Sequence, residues 1–378
     1  MSRFLLLLFA CSLALQLPAA PLPQSKLIVA YVFPQNALLQ PGQIDPHAIT
    51  RINYAFADIQ SGRVVLGNAN DPANLAVLTG LRRDNPSLTV LISVGGWLGS
   101  AGFSDAARTL ESRRQFIESA VAFIRTYRLD GLDIDWEYPG MPGAGHPFLP
   151  EDGRNFELLC RELRAAFNKE QTANRRLYLT IAAGASEEFL AHTPMAELQS
   201  SLDTVNLMAY DYYEPGSGTI TGNHAPLFTD PADPNKVSAD DSVRVFQKAG
   251  VPPRKLILGV PFYGHMWGEV AGQDHGLFQP GKPIPHAYAP FSLIQSSMLN
   301  QGFTRFWDAV SRVPWLYNPA SRVFVSYEDP QSLTEKSRYI RAHNLGGVMF
   351  WNYANDDASG TLLKTLDTEL LAPRPSKR

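Results

Sequence analysis

The segment Leu129-Asp-Gly-Leu-Asp-Ile-Asp-Trp-Glu-Tyr-Pro139 places three acidic residues, Asp133, Asp135 and Glu137, at every second position. The apolar residues between the acids predict a β-strand, in which successive side chains point to opposite faces. The three carboxyl groups would therefore lie on one face and crowd a small space.

Crowded carboxyl groups have a chemical consequence. Like charges a few ångströms apart in a partly dry site cannot all ionise, so at least one pKa must rise and one proton must be held near neutral pH. Hydrolysis of an acetal needs such an acid, because the leaving alkoxide must be protonated as its bond to the sugar breaks. Glu137 would lie at the C-terminal end of the strand, nearest a ligand. The alternative is a calcium-type cluster or a solvated strand face, against which the interleaved apolar residues and Pro139 argue.

The pattern on both sides of this segment predicts the fold. Short apolar runs alternate with longer amphipathic stretches, which is typical of strand–helix units around a parallel sheet. Eight such units favour a closed α/β barrel, the (β/α)8 or TIM barrel, whose active site lies at the C-terminal ends of its strands. The predicted strands are Leu27 to Phe33, Arg51 to Phe56, Thr89 to Ser93, Gly131 to Trp136, Tyr178 to Ala183, Thr204 to Met208, Leu256 to Val260 and Gly347 to Trp351.

The interval between the seventh predicted strand and Asp329 is too long for an ordinary loop. It contains a strand-like run of its own, Arg322 to Tyr327. We predict a small α+β insertion between strand 7 and helix 7, at about residues 264–326, within one catalytic barrel domain that spans residues 21–378.

Helix signals fall between the predicted strands. Asp71-Pro72 and Asp329-Pro330 each place a capping acid directly before a proline suited to the first helical turn. Ser104 to Tyr127 is predicted to be one long helix whose apolar side packs onto the barrel wall.

Composition excludes some classes of partner. The chain has 378 residues, 45% of them hydrophobic, and a formal net charge of -3. This length and composition suit a single large core, and the charge gives no basic surface for nucleic acid. We expect an uncharged or weakly charged substrate.

The first 20 residues are predicted to be a secretory signal peptide. Arg3 precedes an apolar run, and small residues follow at Ala19 and Ala20. The run is too short for a membrane span, so we expect a secreted or periplasmic protein. A lipoprotein processing site at Cys11 is the alternative, which the short run before Cys11 disfavours. Removal of the peptide would leave Cys160 as the one thiol, without a disulfide partner and buried in a helix.

Several motifs together resemble one protein family. The signature Asp-Gly-x-Asp-x-Asp-Trp-Glu of the family 18 glycoside hydrolases (chitinases) is present unbroken from Asp130 to Glu137. The resemblance extends from Leu27 to about Asp357. It includes the motifs Ser93-Val-Gly-Gly96, Met208-Ala-Tyr-Asp211, Val260-Pro-Phe-Tyr-Gly264 and Gly346-Gly-Val-Met-Phe-Trp351.

The resemblance implies a mechanism and roles for site residues. Glu137 would be the general acid/base, and Asp135 would orient the substrate's N-acetyl group while sharing a proton with Asp133. The acetamido oxygen would itself attack the anomeric carbon, held by Tyr210, so the configuration is retained without an enzyme nucleophile. The implied substrate-binding residues are Tyr31, Phe56, Trp97, Met208, Asp211 and Trp351.

This reaction needs no metal or cofactor, so we expect neither, and we expect a monomer that binds chitin or N-acetylglucosamine oligosaccharides.

Many relatives have Tyr-Gly-Arg after the seventh strand, whereas His265 follows Tyr263-Gly264 here. In those relatives the arginine contacts the substrate. His265 would either make a weaker, pH-sensitive version of that contact or be a surface residue of the insertion, and the sequence slightly favours the surface residue.

Two other functions remain open on the sequence. A chitin-binding lectin that lost catalysis would keep this fold, but lectins of this kind usually lack the acid present here as Glu137. An endo-β-N-acetylglucosaminidase acting on N-glycans or cell-wall polymers is the second. The Trp-Glu-Tyr-Pro sequence around Glu137 and the insertion argue against it.

Overall fold

The computed structural model describes residues 26–172, 175–216, 220–285 and 287–371. The predicted signal peptide, with Cys11, lies outside the described residues. No helix among the described residues combines the length and the apolar character that crossing a membrane requires.

The strands of the described chain form two sheets. In chain order they are β1 (Leu27–Val32), β2 (Arg51–Gln60), β3 (Arg63–Leu66), β4 (Thr89–Gly95), β5 (Gly131–Asp135), β6 (Tyr178–Gly184), β7 (Thr204–Met208), β8 (Leu256–Pro261), β9 (Tyr263–Gly268), β10 (Lys282–Pro283), β11 (Ala289–Pro290), β12 (Thr304–Asp308), β13 (Val313–Asn318), β14 (Val323–Ser326) and β15 (Gly347–Trp351).

Helices pack mainly outside the larger sheet. In chain order they are α1 (Asp71–Gly80), α2 (Gly96–Gly99), α3 (Phe103–Arg108), α4 (Leu110–Thr126), α5 (Asp152–Glu170), α6 (Glu187–His192), α7 (Met195–Leu198), α8 (Ala239–Lys248), α9 (Phe291–Ser297), α10 (Pro330–Ala342) and α11 (Thr361–Leu370).

The larger sheet closes into the predicted barrel. Its parallel strands follow the order β1-β15-β8-β7-β6-β5-β4-β2, and β1 pairs with β2 to complete the circle, while β3 extends β2 as an antiparallel edge. All eight predicted barrel strands are confirmed, with ends that differ by a few residues. The α/β barrel prediction is therefore correct.

Two helix predictions need correction and one is confirmed. Asp329 caps α10, because its side chain accepts a hydrogen bond from the Ser332 amide. Asp71 is instead the first residue of α1, and its carboxylate accepts hydrogen bonds from the Tyr54 hydroxyl and a nearby backbone amide. The single helix predicted from Ser104 is two helices, because Thr109 is extended and caps α4 through a capping box with Ser112.

The insertion is a second, antiparallel sheet between β8 and α10. Strands β9 to β14 and helix α9 belong to it, as the length of the interval predicted. Part of it forms a separate hydrophobic cluster, while other residues, such as Leu316 and Val325, pack with the barrel core. The fully buried members of the separate cluster include Trp267 and Phe324, which meet edge to face at 5.7 Å. The insertion therefore stands as a packed wall beside the C-terminal ends of the barrel strands.

Cys160 lies on α5 and is a free, fully buried cysteine. Its neighbours in the core are the apolar residues between helix and barrel. The prediction that it acts as a small hydrophobic residue is confirmed.

Candidate active site

A cleft of about 680 Å³ opens at the C-terminal ends of the barrel strands. It lies where the fold predicts a site, and its walls are mostly aromatic and apolar. Nine of the ten predicted site residues line it, namely Tyr31, Phe56, Trp97, Asp135, Glu137, Met208, Tyr210, Asp211 and Trp351. The tenth, Asp133, is fully buried inside the barrel.

Asp133 is held by a complete set of hydrogen bonds. Strand register places Ser93 on one neighbouring strand and Thr180 on the other directly beside it. Oδ2 accepts from Ser93 Oγ and the Tyr31 hydroxyl, both at 2.8 Å, and Oδ1 accepts from Thr180 Oγ1 and, at 3.1 Å, from Asn206 Nδ2. Burial raises the pKa of Asp133, and these hydrogen bonds oppose the rise because they stabilise the carboxylate.

Asp135 is also buried but lacks such support. Only 4% of its surface is exposed, and Oδ1 has no hydrogen-bond partner within the described part of the chain. Burial raises the pKa of Asp135 well above its ordinary value, and the negative charges of Glu137 and Asp133 raise it further. The protonated form of Asp135 is therefore favoured relative to an ordinary aspartate, in the direction that crowding of the acids predicted. Its sharing of a proton with Asp133 stays a prediction.

Glu137 lies just beyond β5, at the mouth of the cleft. Burial raises its pKa to about 7, with further contributions from the negative charges of Asp211 and Glu214. A carboxyl group with this pKa can donate and accept a proton near neutral pH, which is the requirement for a general acid/base. The sequence attributed a raised pKa to the acids of the same strand, whereas burial is the main cause for Glu137 and the two charges that add to it belong to another loop.

Asp211 is the centre of a hydrogen-bonded group of its own. The Tyr263 hydroxyl donates to both carboxylate oxygens at 2.7 Å, and His265 Nε2 and His224 Nδ1 lie 2.8 Å and 3.3 Å from Oδ1. Burial alone would raise the pKa of Asp211, but the hydrogen bonds from His224 and His265 lower it below its ordinary value. Asp211 is therefore an anion in the cleft wall.

This contact excludes one of the two interpretations of His265, whereas the other, a contact to substrate, stays a prediction. Its side chain is 19% exposed and faces Asp211, so it is not a free surface residue of the insertion. The slightly favoured interpretation was wrong, because β9 begins only two residues after β8 ends and places His265 against the end of β7.

Asp211, His224 and His265 are also the described residues that could together hold a metal ion. Their ligand atoms all lie within 4.8 Å of one another. Ring nitrogens that bind a metal usually have a partner on the opposite nitrogen, whereas His224 Nε2 is buried without one. Burial lowers the pKa of His224 to about 4, so its ring is neutral at ordinary pH. The hydrogen bonds between the two histidines and Asp211 explain why these three residues lie together.

Trp351 forms the floor of the cleft. Its ring stacks on Phe56 at 5.7 Å with an interplanar angle of 22°, and Tyr31 and Phe33 pack against it at 5.8 Å and 5.3 Å. These contacts fix a flat apolar surface of the kind that packs against the C–H groups of a sugar. Trp97 stands at the rim with 55% of its surface exposed.

Gly95 and Gly96 let the backbone approach the site closely. Both have positive φ angles, of 113° and 78°. A Cβ on Gly95 would lie 2.2 Å from the carbonyl oxygen of Asp135, and one on Gly96 would lie 2.7 Å from the Phe56 ring. Glycine is therefore required at both positions.

Comparison with known proteins identifies the chain. The model of the glycosyl hydrolases family 18 matches residues 27–356. The chain belongs to family 18 of the glycosyl hydrolases. It is 35% identical to chitinase A1 of Niallia circulans, over 97% of this chain and 61% of that protein. The chain thus spans less than two thirds of that relative.

Solved structures of family 18 proteins have the same fold. An N-acetylglucosaminidase from Paenibacillus barengoltzii is 38% identical, with a TM-score of 0.83 over 91% of this chain and all of the other. A human pseudo-chitinase with retained chitooligosaccharide binding is 25% identical, with a TM-score of 0.83 over 92% of this chain and all of that one.

Some residues of this family 18 site were missed from the sequence. They are Glu214 and Met349, which line the cleft, and His224, which contacts Asp211. Met349 lies two residues before Trp351 on β15, so strand alternation would have found it. Glu214 and His224 lie outside the strands, where no periodicity marks a residue that turns toward the site.

Proposed function

We propose that this chain hydrolyses β-1,4-linked N-acetylglucosamine polymers, with chitin and its oligosaccharides as substrates. The observation that carries the proposal is the position of Glu137, a partly buried acid with a pKa of about 7 at the mouth of an aromatic cleft. Asp135 and Asp133 continue the row of acids into the barrel.

In the first step, protonated Glu137 donates its proton to the glycosidic oxygen of the bond that breaks. The same residue, now a carboxylate, then removes a proton from the water that completes hydrolysis. A pKa near the working pH serves both steps, because neither the acid nor the base form is rare.

The nucleophile in the mechanism that family membership implies is the substrate's N-acetyl oxygen. The raised pKa of Asp135 supports this role assignment, since a protonated carboxyl group is a poor nucleophile but a good hydrogen-bond partner for an acetamido group. Burial and the charge of Asp211 keep the Tyr210 hydroxyl protonated by raising its pKa, so it remains available as a donor to the acetamido oxygen. The product would keep its anomeric configuration.

Removal of single N-acetylglucosamine units is a second candidate activity. It is favoured by the similarity to the Paenibacillus barengoltzii N-acetylglucosaminidase. An endo-acting enzyme on N-glycans or wall polymers remains the third. A non-catalytic lectin is disfavoured, because Glu137, Asp135, Asp133 and Tyr210 are all present. We also propose export through the predicted signal peptide and a monomeric state.

Product analysis on chitin oligomers of defined length, beside a single-sugar aryl glycoside and an N-glycoprotein, tests these alternatives. A chitinase would release oligomers of two or more sugars, whereas an N-acetylglucosaminidase would release only the monosaccharide. Glu137→Gln should lower kcat on the oligomers by several powers of ten while leaving their binding nearly intact. Turnover by this variant at the wild-type rate would refute the proposed function.

A further inference from the structure

Ser100 is a buried residue that touches the chain on both sides of the proposed catalytic acid. It belongs to the Trp97 segment (residues 96–102), formed by α2 and the 3-10 turn after it. Only 1% of Ser100 is exposed. Its Oγ lies 2.9 Å from the carbonyl oxygens of Gly96 and Asp135 and accepts a hydrogen bond of 3.1 Å from the Glu137 amide.

The Glu137 amide lies beyond the end of β5, where the strand ladder no longer fixes the backbone. The Ser100 hydroxyl takes the place of a ladder partner there. Since a hydroxyl has one proton, it donates to one of the two carbonyl oxygens at a time while it accepts from the amide. One side chain thus sets the backbone position at Glu137.

Tyr138 makes a second link in the opposite direction. Its hydroxyl donates to the Trp97 carbonyl oxygen at 2.8 Å, and its ring meets the Trp97 ring edge to face at 5.3 Å. The Trp97 segment and residues 135–138 are therefore joined by a side chain from each. The distance between the exposed Trp97 ring and Glu137 is fixed by both contacts.

We propose that Ser100 is a positioning residue for Glu137 and that, together with Tyr138, it holds the acid in register with a sugar on Trp97. The inference rests on the proposed function, since it assumes that Glu137 protonates the leaving sugar. A misplaced acid harms departure of a sugar, a poor leaving group, far more than departure of an acidic phenol, which needs little protonation.

The test compares kcat/KM for a chitooligosaccharide with kcat/KM for a dinitrophenyl glycoside of N-acetylglucosamine oligomers. Ser100→Ala should lower kcat/KM about 10-fold or more on the oligosaccharide and less than about 3-fold on the aryl glycoside. Ser100→Thr keeps the hydroxyl and should restore most of the loss. Tyr138→Phe should show the same selectivity with a smaller effect.

Ser332→Ala is the matched control, because Ser332 is a fully buried serine that partners Asp329 in the capping box of α10 and donates to Glu328 Oε2 at 2.6 Å. It should cost stability without any dependence on the leaving group. Equal losses on the two substrates for Ser100→Ala and Tyr138→Phe, or the same selectivity in Ser332→Ala, would overturn the inference. Should Ser100→Ala fail to fold, Tyr138→Phe alone decides. Such results would overturn the role of Ser100 but not the proposed function, provided that Glu137→Gln is inactive on the oligosaccharide.

Discussion

His265 of the insertion places its Nε2 atom 2.8 Å from Oδ1 of Asp211, at the end of barrel strand β7. The contact joins the insertion to the barrel at the cleft wall. This hydrogen bond helps to hold the pKa of Asp211 below its ordinary value and so keeps that carboxylate charged.

His265→Ala should move the acidic limb of the kcat/KM profile to higher pH. The His265 hydrogen bond helps to hold the pKa of Asp211 below its ordinary value, so its loss raises that pKa. Asp211 would then lose its charge at a higher pH than in the wild type. The measurement is a pH profile on a soluble chitin oligomer. His343→Ala, which alters an exposed histidine outside the cleft, is the control. An unchanged acidic limb in His265→Ala would contradict the prediction.

Glu137→Gln should stabilise the protein above neutral pH. Folding raises the pKa of Glu137 from 4.5 to about 7, so between these values the folded protein retains a proton that the unfolded chain releases. Stability therefore falls as pH rises through this window, and above about pH 7 the cost is on the order of 3 kcal/mol. Thermal unfolding of both proteins at about pH 4 and about pH 8 checks this. The variant should gain in Tm only at the higher pH; an equal change at both would show another cause.

Asp135→Asn should slow hydrolysis about 100-fold, because it removes the carboxyl group that hydrogen-bonds and orients the acetamido group for attack. A thiazoline analogue of the cyclic intermediate should inhibit the wild type strongly and the variant much less, since it mimics the ring to which Asp135 would hydrogen-bond. Inhibition constants for both proteins measure the difference. A wild type insensitive to the thiazoline would argue against attack by the N-acetyl group.

Trp97→Ala should raise KM for long oligomers by about three- to ten-fold with little change in kcat, because the ring offers a sugar platform away from the reacting bond. The fold should be nearly unaffected, since 55% of Trp97 is exposed. Leu98→Ala is a suitable control because Leu98 is an adjacent apolar residue with 78% exposure. An equal rise in KM from both variants would show that general apolar contact, not ring stacking, is responsible.

The sequence predicted what depends on short-range pattern. Alternation placed the acids of β5 on one side, and the Asp-Pro pair at residues 329–330 marked a true helix start. The same pair at residues 71–72 wrongly predicted that Asp71 caps a helix. The Asp71 carboxylate instead accepts a hydrogen bond from the Tyr54 hydroxyl, which belongs to another strand. The break at Thr109 was missed because the apolar pattern continues across it.

Contacts between loops could not be predicted from the sequence. The charge of Glu214 helps to raise the pKa of Glu137 across the cleft, although the sequence around neither residue indicates that the two lie close together. Likewise, the approach of His224 to Asp211 depends on how the chain after β7 folds back, which the residue types alone do not specify. Strand register could be inferred only once the barrel order was known, and it is register that sets Ser93 and Thr180 beside Asp133.

The insertion's separate hydrophobic cluster, around Trp267 and Phe324, has an evolutionary consequence. Residues packed in one cluster tolerate change largely independently of those in another. Substitutions that reshape the far side of this wall can therefore accumulate without disturbing the acids inside the barrel. A lineage of such enzymes can adapt to new polymers while its chemistry stays constant, provided that the joint between His265 and Asp211 is kept.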